Sequence, residues 1–438
     1  MRDLTPPNPL SGFFASGAVE ASPFADAGVD CILNAVRLHL GMEIAFASRF
    51  IDGRREFTHL DADIPLPVTI GDSEPLKDTL CQRILDGRLP ELIHDASDYA
   101  AARELPITAA LPIGSHLNVP LRLGDGRIYG TFCCISREPD RSLTQRDIST
   151  LRAFADLAAN QIERRMKGDR ERNEVLARID SLIERDGLTI FHQPIHRLSD
   201  GAAVGVECLA RFADEAERPP SDWFDEAASV GRGVELEMLA VRQALRGLPY
   251  IPAELYMSIN ASPETVLSGA LDDALANVEP GRIVIELTEH ARVTDYDALR
   301  TALEKLRDRA RIAIDDVGAG YSGLRHIVDL RPDILKLDIS LTRHVDLDHA
   351  RRALTQAMVA FAESIGSAII AEGVETEGER KAMAGFGVPC AQGYLFSRPM
   401  PVVVAQQFLL ASMANTDVES VERGLPEAAR ENARRRYA

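Results

Sequence analysis

The sequence has no long apolar run, and no segment approaches the roughly 20 apolar residues that span a bilayer. Its first residues, MRDLTPPNPLSGFF, also lack the basic flank and apolar core of a secretory signal. Both absences argue against a membrane-spanning or exported protein. We therefore expect a cytoplasmic protein.

Cysteine is sparse as well, and no two cysteines have the CxxC spacing of a metal or redox motif. The six cysteines are scattered, at positions 31, 81, 133, 134, 208 and 390. We interpret them as reduced and mostly buried thiols, because free cysteine is among the most buried residue types. A redox or ligand-binding role for the adjacent Cys133 and Cys134 is the alternative.

Positive charge is in deficit, since 49 Lys and Arg stand against 67 Asp and Glu and the net charge is -18. A general nucleic-acid or membrane-surface binder needs a positive face, so the composition disfavours both classes. A phosphate-containing substrate is still compatible with an acidic chain if bound cations reverse the local field.

The chain has 438 residues, which is too many for one ordinary core, and we expect two or three domains. The first domain begins with a helical stretch, VDCILNAVRLHL, and continues with two hairpin patterns that turn at Asp52-Gly53 and Gly124-Asp125-Gly126. Helices and strands that come in runs predict an α+β domain with an antiparallel sheet.

Residues 20–165 resemble a GAF domain, a small sensory module that holds ligands between its sheet and its loops. The resemblance is carried by the order of the elements and by the hairpin VPLRLGDGRIYGTFCC. It leaves the ligand unknown. We interpret His94, His116 and Cys133 as structural residues of this domain.

A helix is predicted over residues 144–184. Its apolar positions keep the 3.5-residue spacing of a coiled-coil seam, with Ile148, Leu151, Ala155, Ala158 and Ile162. The segment RRMKGDRERNE then interrupts the seam. One interpretation is a helix that packs on the first domain and continues as a solvated connector. The other is a signalling helix that joins two copies in a homodimer and passes strain to the output domain.

From Leu188 onward strands and helices alternate, and about eight strands in roughly 230 residues predict a (β/α)8 TIM-type barrel over residues 176–412. The first two strands are joined by HRLSDGAAV, which is too short for a parallel crossover. We therefore expect an antiparallel first strand pair. A charged tail, residues 413–438, follows the barrel.

Polar side chains stand at the ends of nearly all of these strands, where TIM-type barrels gather their reacting groups. They are Gln193, Glu207, Arg211, Asn260, Glu286, Asp315, Asp316, Lys336, Asp338, Glu372, Glu375 and Gln392. In IAIDDVGAGYSG, Asp315 and Asp316 would face opposite sides of a regular strand. We expect the strand to end between them, so that both carboxylates reach one site.

Carboxylates that converge in a barrel mouth repel one another unless cations neutralise them. A set of oxygen ligands without a histidine or cysteine cluster favours magnesium or manganese over zinc. Two such ions about 4 Å apart can hold a phosphodiester and generate the attacking hydroxide. This pattern predicts phosphodiester hydrolysis.

The ordered motifs of this region look like those of EAL-domain cyclic di-GMP phosphodiesterases. They are FHQPI, ECLAR, SINAS, IELTE, DDVGAGYSG, LKLD, AEGVE and QGYLFSRP, across residues 176–410. The signature Glu-Ala-Leu stands here as Glu207-Cys208-Leu209. The resemblance implies that cyclic di-GMP is opened to linear pGpG with two Mg²⁺ or Mn²⁺ ions.

The resemblance also implies a role for each polar residue. One metal would be held by Glu207, Asn260, Glu286 and Asp315, and a second by Asp315 and Asp316. Reaction at the attacking water would involve Lys336, with Glu372, Gln392 and Glu207 around it. Substrate contacts would be made by Gln193, Arg211 and Asp338, and Glu375 would anchor the loop after Asp316. Taken singly, Asn260 could instead cap a helix and Lys336 could be a paired surface lysine.

The loop departs from the family's usual DDFGTGYSS at Val317, Ala319 and Gly323. We expect these differences to affect the reaction rate and its regulation more than the binding of metal. The leading hypothesis is a phosphodiesterase that the GAF-like domain regulates. The alternative is a non-catalytic cyclic di-GMP receptor that signals through the helix. No GGDEF motif is present, so we do not expect synthesis of the dinucleotide.

Overall fold

The computed structural model describes residues 27–105, 113–213, 218–287, 295–318 and 323–424, with residues 323–326 and 414–424 described by their backbone alone. The chain forms two compact units that divide between Glu171 and Arg172. Residues 20–26, Ala319 and residues 425–438, for which expectations were stated, lie outside the described residues. Among the helices of the described ranges, none is long and apolar enough to cross a membrane.

The first unit is built on a six-stranded antiparallel sheet. Its strands are β1 Ile44–Ile51, β2 Arg54–Ala62, β3 Ser73–Pro75, β4 Leu92–Ile93, β5 Ser115–Arg122 and β6 Ile128–Ser136. Their spatial order is β3-β2-β1-β6-β5-β4. The β1–β2 hairpin turns at Asp52 and Gly53, whose φ angles of 50° and 71° suit a tight two-residue turn. The predicted α+β domain is confirmed.

Each face of this sheet has its own apolar core. The helices are α1 Ala27–Leu40, α2 Leu80–Leu85, α3 Ala100–Arg103 and α4 Gln145–Glu184. One core contains residues of α1 and of the first half of α4, and the other contains Leu80 of α2 with Phe46 and Phe57. Because side chains alternate along a strand, Cys133 belongs to the second core and Cys134 to the first. The two adjacent cysteines therefore cannot act as a pair.

Helix α4 is continuous through the predicted interruption. The five apolar residues of the predicted seam, from Ile148 to Ile162, are all buried in the first core of the first unit. Residues 166–174, by contrast, are exposed. For residues 145–162 the structure therefore supports the first interpretation, a helix that packs on its own domain, and the apolar seam is not available as a dimer surface.

The second unit is a closed eight-stranded barrel, as predicted. Its strands are β7 Leu188–Arg197, β8 Ala203–Phe212, β9 Tyr256–Ala261, β10 Ile283–Leu287, β11 Ala310–Val317, β12 Ile334–Leu337, β13 Ala368–Ala371 and β14 Cys390–Ala391. Each strand pairs with the next, and β14 pairs with β7 to close the barrel. Strand β7 is antiparallel to both β8 and β14, whereas the pairs from β8 to β14 are parallel. A short strand β15, Met400–Pro401, adds to β7.

Helices connect the strands of the barrel. They are α5 Pro220–Ser229, α6 Gly233–Gly247, α7 Pro263–Ser268, α8 Ala270–Ala274, α9 Tyr296–Leu306, α10 Gly323–Leu330, α11 Ile339–Thr342, α12 His349–Ile365, α13 Glu377–Gly385 and α14 Val402–Gly424. Their apolar sides share a large core with the outward faces of the strands. A smaller core fills the barrel interior between Ile195, Val284, Ala313, Ile334 and Ile370. The polar residues at the strand ends lie on the mouth side of this interior core.

Candidate active site

Lys336 of β12 stands at the centre of a cluster of carboxylates and has no exposed surface. Its Nζ atom lies 2.6 Å from Glu372 Oε1, 2.8 Å from Glu286 Oε2, 3.2 Å from Asp315 Oδ1 and 3.5 Å from Glu207 Oε1. The four carboxylates come from β8, β10, β11 and the residue after β13. Closure of the barrel is what brings these distant positions together. Lys336 is a paired lysine, but it is not at the surface.

Amide side chains continue this cluster on one side. The Gln392 Nε2 atom donates hydrogen bonds to Glu207 Oε2 at 2.6 Å and to Gln193 Oε1 at 2.9 Å. Gln193 in turn donates to the backbone carbonyl of Ser397, and Asn260 donates to Glu207 Oε1 over 3.4 Å. These contacts fix the orientation of Glu207. The cluster thus includes the two glutamines and the asparagine that the sequence singled out.

Ser258 is a member of the site that the sequence analysis missed. Its Oγ atom donates to Glu286 Oε1 at 2.5 Å, and the side chain is buried. Ser258 precedes Asn260 by two residues on β9, so the two side chains lie on the same face of the strand. The motif SINAS contained the signal that could have identified it.

Asp315 and Asp316 reach the site in a way that the sequence did not predict. Strand β11 does not end between them but runs to Val317. Instead, its pairing with β12 shifts register between Ile314 and Val317, and Asp316 has a φ of 53°. An irregularity of this kind changes the direction of a side chain without ending the strand. The Asp316 backbone N–H donates to Asp315 Oδ1 at 3.0 Å.

The carboxylates form two overlapping groups within the described part of the chain. Each group has oxygens that all lie within 4.8 Å of one another: Glu207, Glu286 and Asp315 in the first, and Asp315, Asp316 and Glu372 in the second. Asp315 is common to both. The arrangement offers two adjacent sets of oxygen ligands, which is the donor chemistry that Mg²⁺ and Mn²⁺ prefer.

The protonation of the cluster reflects burial and crowding. Burial raises the pKa of Glu286 to about 8, and the charges of Glu207 and Asp315 add to this effect while Lys336 opposes it. Burial also raises the pKa of Glu372 well above its ordinary value, again against the effect of Lys336. Burial would lower the pKa of Lys336, but the surrounding carboxylates outweigh it and raise that pKa. Without a bound cation, protons on Glu286 and Glu372 therefore relieve the negative charge that one lysine does not neutralise at neutral pH.

A cavity of about 780 Å³ adjoins the cluster, a volume within the usual range for small-molecule sites. Its lining includes Arg211, Asn260 and Asp316 together with apolar side chains such as Phe224 and Ile259. The Arg211 Nη1 atom donates to the carbonyl of Ala210, and its guanidinium lies 5.8 Å from the centre of the Phe191 ring. Arg211 therefore lies beside the cavity rather than in the carboxylate cluster.

Asp338 and Glu375 have other contacts in this structure. Asp338 accepts a hydrogen bond from the Ser340 N–H at 2.9 Å and caps α11. Glu375 forms an ion pair with Arg343. Its predicted partner, the loop after Asp316, includes residues 319–322, which lie outside the described ranges. Both predicted roles stay predictions.

Glu379, which the sequence analysis did not identify, organises the segment around Glu375. It is buried and accepts hydrogen bonds from the backbone N–H groups of His344, Glu375 and Thr376. With Thr376 it forms a capping box at the start of α13. The sequence TEGE has the Thr-x-x-Glu spacing of a capping box, and this pattern could have identified Glu379.

Comparisons with known proteins agree with this geometry. The EAL domain model matches residues 176–399, and the GAF domain model matches residues 26–162. The bifunctional diguanylate cyclase/cyclic di-GMP phosphodiesterase MucR of Pseudomonas aeruginosa is 30% identical over 261 residues, which are 56% of this chain and 37% of that protein. The probable cyclic di-GMP phosphodiesterase PdeD of Escherichia coli is 28% identical over 226 residues, 49% of this chain and 42% of that protein.

The chain thus spans less than half the length of these two relatives. Among solved structures, EAL enzyme Bd1971 in its cGMP-bound form superposes with a TM-score of 0.53 at 18% identity, covering 84% of this chain and 93% of that chain. At this identity the similarity bears on the fold alone.

Proposed function

The chain belongs to the EAL domain family and carries a GAF domain before the barrel, and on this premise we propose that it hydrolyses cyclic di-GMP to linear pGpG. The observation that carries the proposal is the burial of Lys336 among four carboxylates, with Asp315 common to two sets of oxygen ligands. The activity named for the relatives MucR and PdeD supports the same substrate.

Two divalent cations, Mg²⁺ or Mn²⁺, fit the composition of the site. Five carboxylates and one lysine leave an excess of negative charge that two divalent ions would offset. One ion would be held by Glu207, Asn260, Glu286 and Asp315, and the other by Asp315 and Asp316. When bound, the pair supplies Lewis acidity and an activated water.

The side chains of the site would divide the remaining tasks. Lys336 would orient the attacking water through its Nζ atom, because its raised pKa keeps it protonated, and Glu372 would hold the lysine in place. Gln392 would keep Glu207 oriented through the hydrogen bond it donates to Oε2. On the substrate, Gln193, Asp338 and Arg211 would make contacts, with Arg211 directed to a phosphate.

The adjoining cavity supports a substrate of dinucleotide size. Its apolar side chains offer surfaces for bases, and Arg211 offers a fixed positive charge for a phosphate. Glu375, which follows β13, would stabilise the loop after Asp316. In that loop, Val317 and Gly323 differ from the usual residues of the family, as does Ala319, and we propose that they modify the rate rather than the metal ligands.

We further propose that the GAF domain regulates turnover and that the active form is a homodimer. The continuous helix α4, Gln145–Glu184, is the covalent connection between the two units. Because the seam residues of α4 up to Ile162 are buried, the dimer would use exposed positions beyond them and the barrel. A non-catalytic receptor for cyclic di-GMP is the alternative function.

The test is chromatographic separation of nucleotide products after incubation of the full chain with cyclic di-GMP and either Mg²⁺ or Mn²⁺. We expect pGpG from the wild type and a loss of at least about 100-fold in Glu207→Gln, because a ligand and its hydrogen-bonded network are disturbed. Glu254→Gln changes an exposed glutamate of the same unit and is the matched control.

Tight binding without linear product under either metal would contradict the enzyme proposal in favour of the receptor. The same assay on a chain that lacks residues 1–170 addresses regulation. Unchanged turnover and oligomeric state in that chain would contradict control by the GAF domain.

A further inference from the structure

Two cysteines from distant parts of the sequence meet in the GAF unit. Cys81 lies on α2 and Cys133 on β6, and their Sγ atoms are 3.8 Å apart. Both side chains have no exposed surface. Cys134, the sequence neighbour of Cys133, lies in the core on the other face of the sheet. The structure therefore places the Cys133 thiol next to the Cys81 thiol and not next to that of its sequence neighbour, Cys134.

A buried guanidinium contacts this pair. The Arg55 Nη1 atom lies 3.0 Å from Cys81 Sγ, and Arg55 is only 5% exposed. The guanidinium also lies 5.2 Å and 4.6 Å from the ring centres of Phe46 and Phe57 and pairs with Glu74. A charge is costly to bury unless it has partners of opposite charge. A thiolate at Cys81 would be a second anionic partner for Arg55, besides Glu74.

The two sulfurs differ in their surroundings. Cys133 Sγ accepts a hydrogen bond from Asn118 Nδ2 at 3.1 Å, whereas Cys81 Sγ receives the bond from Arg55. Burial raises the pKa of Cys81, but the hydrogen bond with Cys133 and the charge of Arg55 outweigh it and lower that pKa to about 5. Burial raises the pKa of Cys133 well above its ordinary value. These surroundings favour a thiolate at Cys81 and a protonated thiol at Cys133.

A small cavity lies beside the Arg55 guanidinium, which contacts Cys81. Its volume is about 40 Å³, enough for molecules of the size of water, which need about 10–15 Å³ each. Arg55, His116 and Leu80, the residue before Cys81, lie in its lining with mostly apolar side chains. Because neither cysteine lines the cavity and both are fully buried, we expect only an oxidant as small as hydrogen peroxide to reach them.

We propose that Cys81 and Cys133 form a peroxide-sensitive dithiol that closes to an intramolecular disulfide. In the first step the Cys81 thiolate attacks one oxygen of hydrogen peroxide. The O–O bond breaks, the sulfur is oxidised to a sulfenic acid, and the released hydroxide takes a proton to become water. In the second step the Cys133 sulfur attacks Cys81, the S–O bond breaks, and the Cys133 proton leaves with the oxygen as a second water.

The disulfide would change the GAF core in two ways. It would tie α2 to β6, the strand next to the centre of the sheet, and so fix Leu80 in the cavity wall. It would also remove the negative charge beside Arg55 and leave Glu74 as the remaining anion in contact with the guanidinium. Cys133, interpreted as structural from the sequence, thereby acquires a chemical role.

The experiment treats reduced, full-length protein with hydrogen peroxide, blocks free thiols with N-ethylmaleimide, and identifies linked peptides by mass spectrometry. We expect one Cys81–Cys133 cross-link and the loss of two hydrogens from the chain. Cys134→Ser, which changes the neighbouring buried thiol, should react as the wild type does. Cys133→Ser should stop at a sulfenic acid on Cys81 that dimedone traps.

The pH dependence of the reaction provides a second readout. In the wild type the rate should reach half its plateau near pH 5 rather than near pH 9, because the thiolate is the reacting form. Arg55→Met should move this midpoint upward. The wild-type profile keeps the test decisive even if Arg55→Met does not fold.

Three results would overturn the proposal. They are oxidation of the exposed Cys31 while Cys81 and Cys133 stay reduced, a cross-link between other cysteines, and a wild-type midpoint near pH 9.

Discussion

Arg55 in the GAF domain and Lys336 in the barrel are both buried cations, but their partners differ in kind. Lys336 contacts four carboxylates. Arg55 contacts one carboxylate, one thiol and two aromatic rings. The barrel site therefore has more acidic groups than cationic ones, whereas the charge next to Arg55 depends on the state of a sulfur atom.

This difference separates two kinds of functional site. An excess of carboxylates must be offset from outside the chain, so it indicates the binding of cations. A cation that is balanced by a thiolate loses a partner when the sulfur is protonated or oxidised. We therefore expect the barrel to respond to metals and the GAF cluster to respond to oxidants and pH. The following predictions test this separation, beginning with the largest expected effect.

The largest effect is expected for Lys336→Met. Turnover of cyclic di-GMP should fall by about 10²- to 10⁴-fold, as is typical when a group that transfers or orients a proton is removed. Lys381→Met, which changes an exposed lysine of α13, should leave turnover within twofold of the wild type. The measurement is the initial rate of pGpG formation, with circular dichroism as a check on folding.

A Lys336→Met variant that is folded and retains more than a tenth of the wild-type rate would contradict this role. It would mean that the lysine serves only to neutralise the carboxylates, and that bound metals can replace it in that task.

An intermediate effect is expected when metal is added to metal-depleted protein. Binding to the folded state stabilises it by about 2.7 kcal/mol when the free metal is 100 times its Kd. Scanning calorimetry should show a higher transition temperature for the barrel, and Asp315→Asn should abolish most of the shift. Asp272→Asn, at an exposed position of α8, is the control and should keep the shift. An equal shift in Asp315→Asn would place the metal elsewhere.

The smallest effect concerns Asp338, the residue that follows β12. Asp338→Ala removes the cap of α11 and should lower the free energy of unfolding by about 1 kcal/mol. Asp338→Asn keeps a good capping residue, so its stability should match the wild type, while its KM should rise if the carboxylate contacts the substrate as we propose. Chemical denaturation and steady-state kinetics measure the two quantities. An unchanged KM in Asp338→Asn would limit Asp338 to its role as a cap.

Much of the fold could be predicted because its signals are local. The alternation of strands and helices predicted the barrel, and the Asp52-Gly53 turn predicted a hairpin, since both depend on residues close together in sequence. The motifs also identified most of the polar residues that now surround Lys336. The strand ends of a barrel converge on one mouth, so the position of a residue along its strand was enough to predict that it belongs to the site.

Other features depended on geometry that a sequence pattern does not encode. The irregularity of β11 at Asp316 is a register shift against β12, a property of two strands rather than one. The apolar spacing of α4 fits both a coiled coil and a helix on its own domain, because both bury one stripe. Only the packing of this helix against the sheet of the GAF unit distinguishes the two arrangements.

The sequence by itself determined the order of the two domains, the barrel and the chemical character of the cluster, because side-chain periodicity and charge are properties of local segments. The tertiary structure alone decided that Lys336 touches four carboxylates and that Cys133 meets Cys81, 52 residues away, instead of Cys134. Adjacent residues on a strand point to opposite faces, so neighbours in sequence were separated. Contact between distant residues depends on strand register and helix placement, which the whole fold sets.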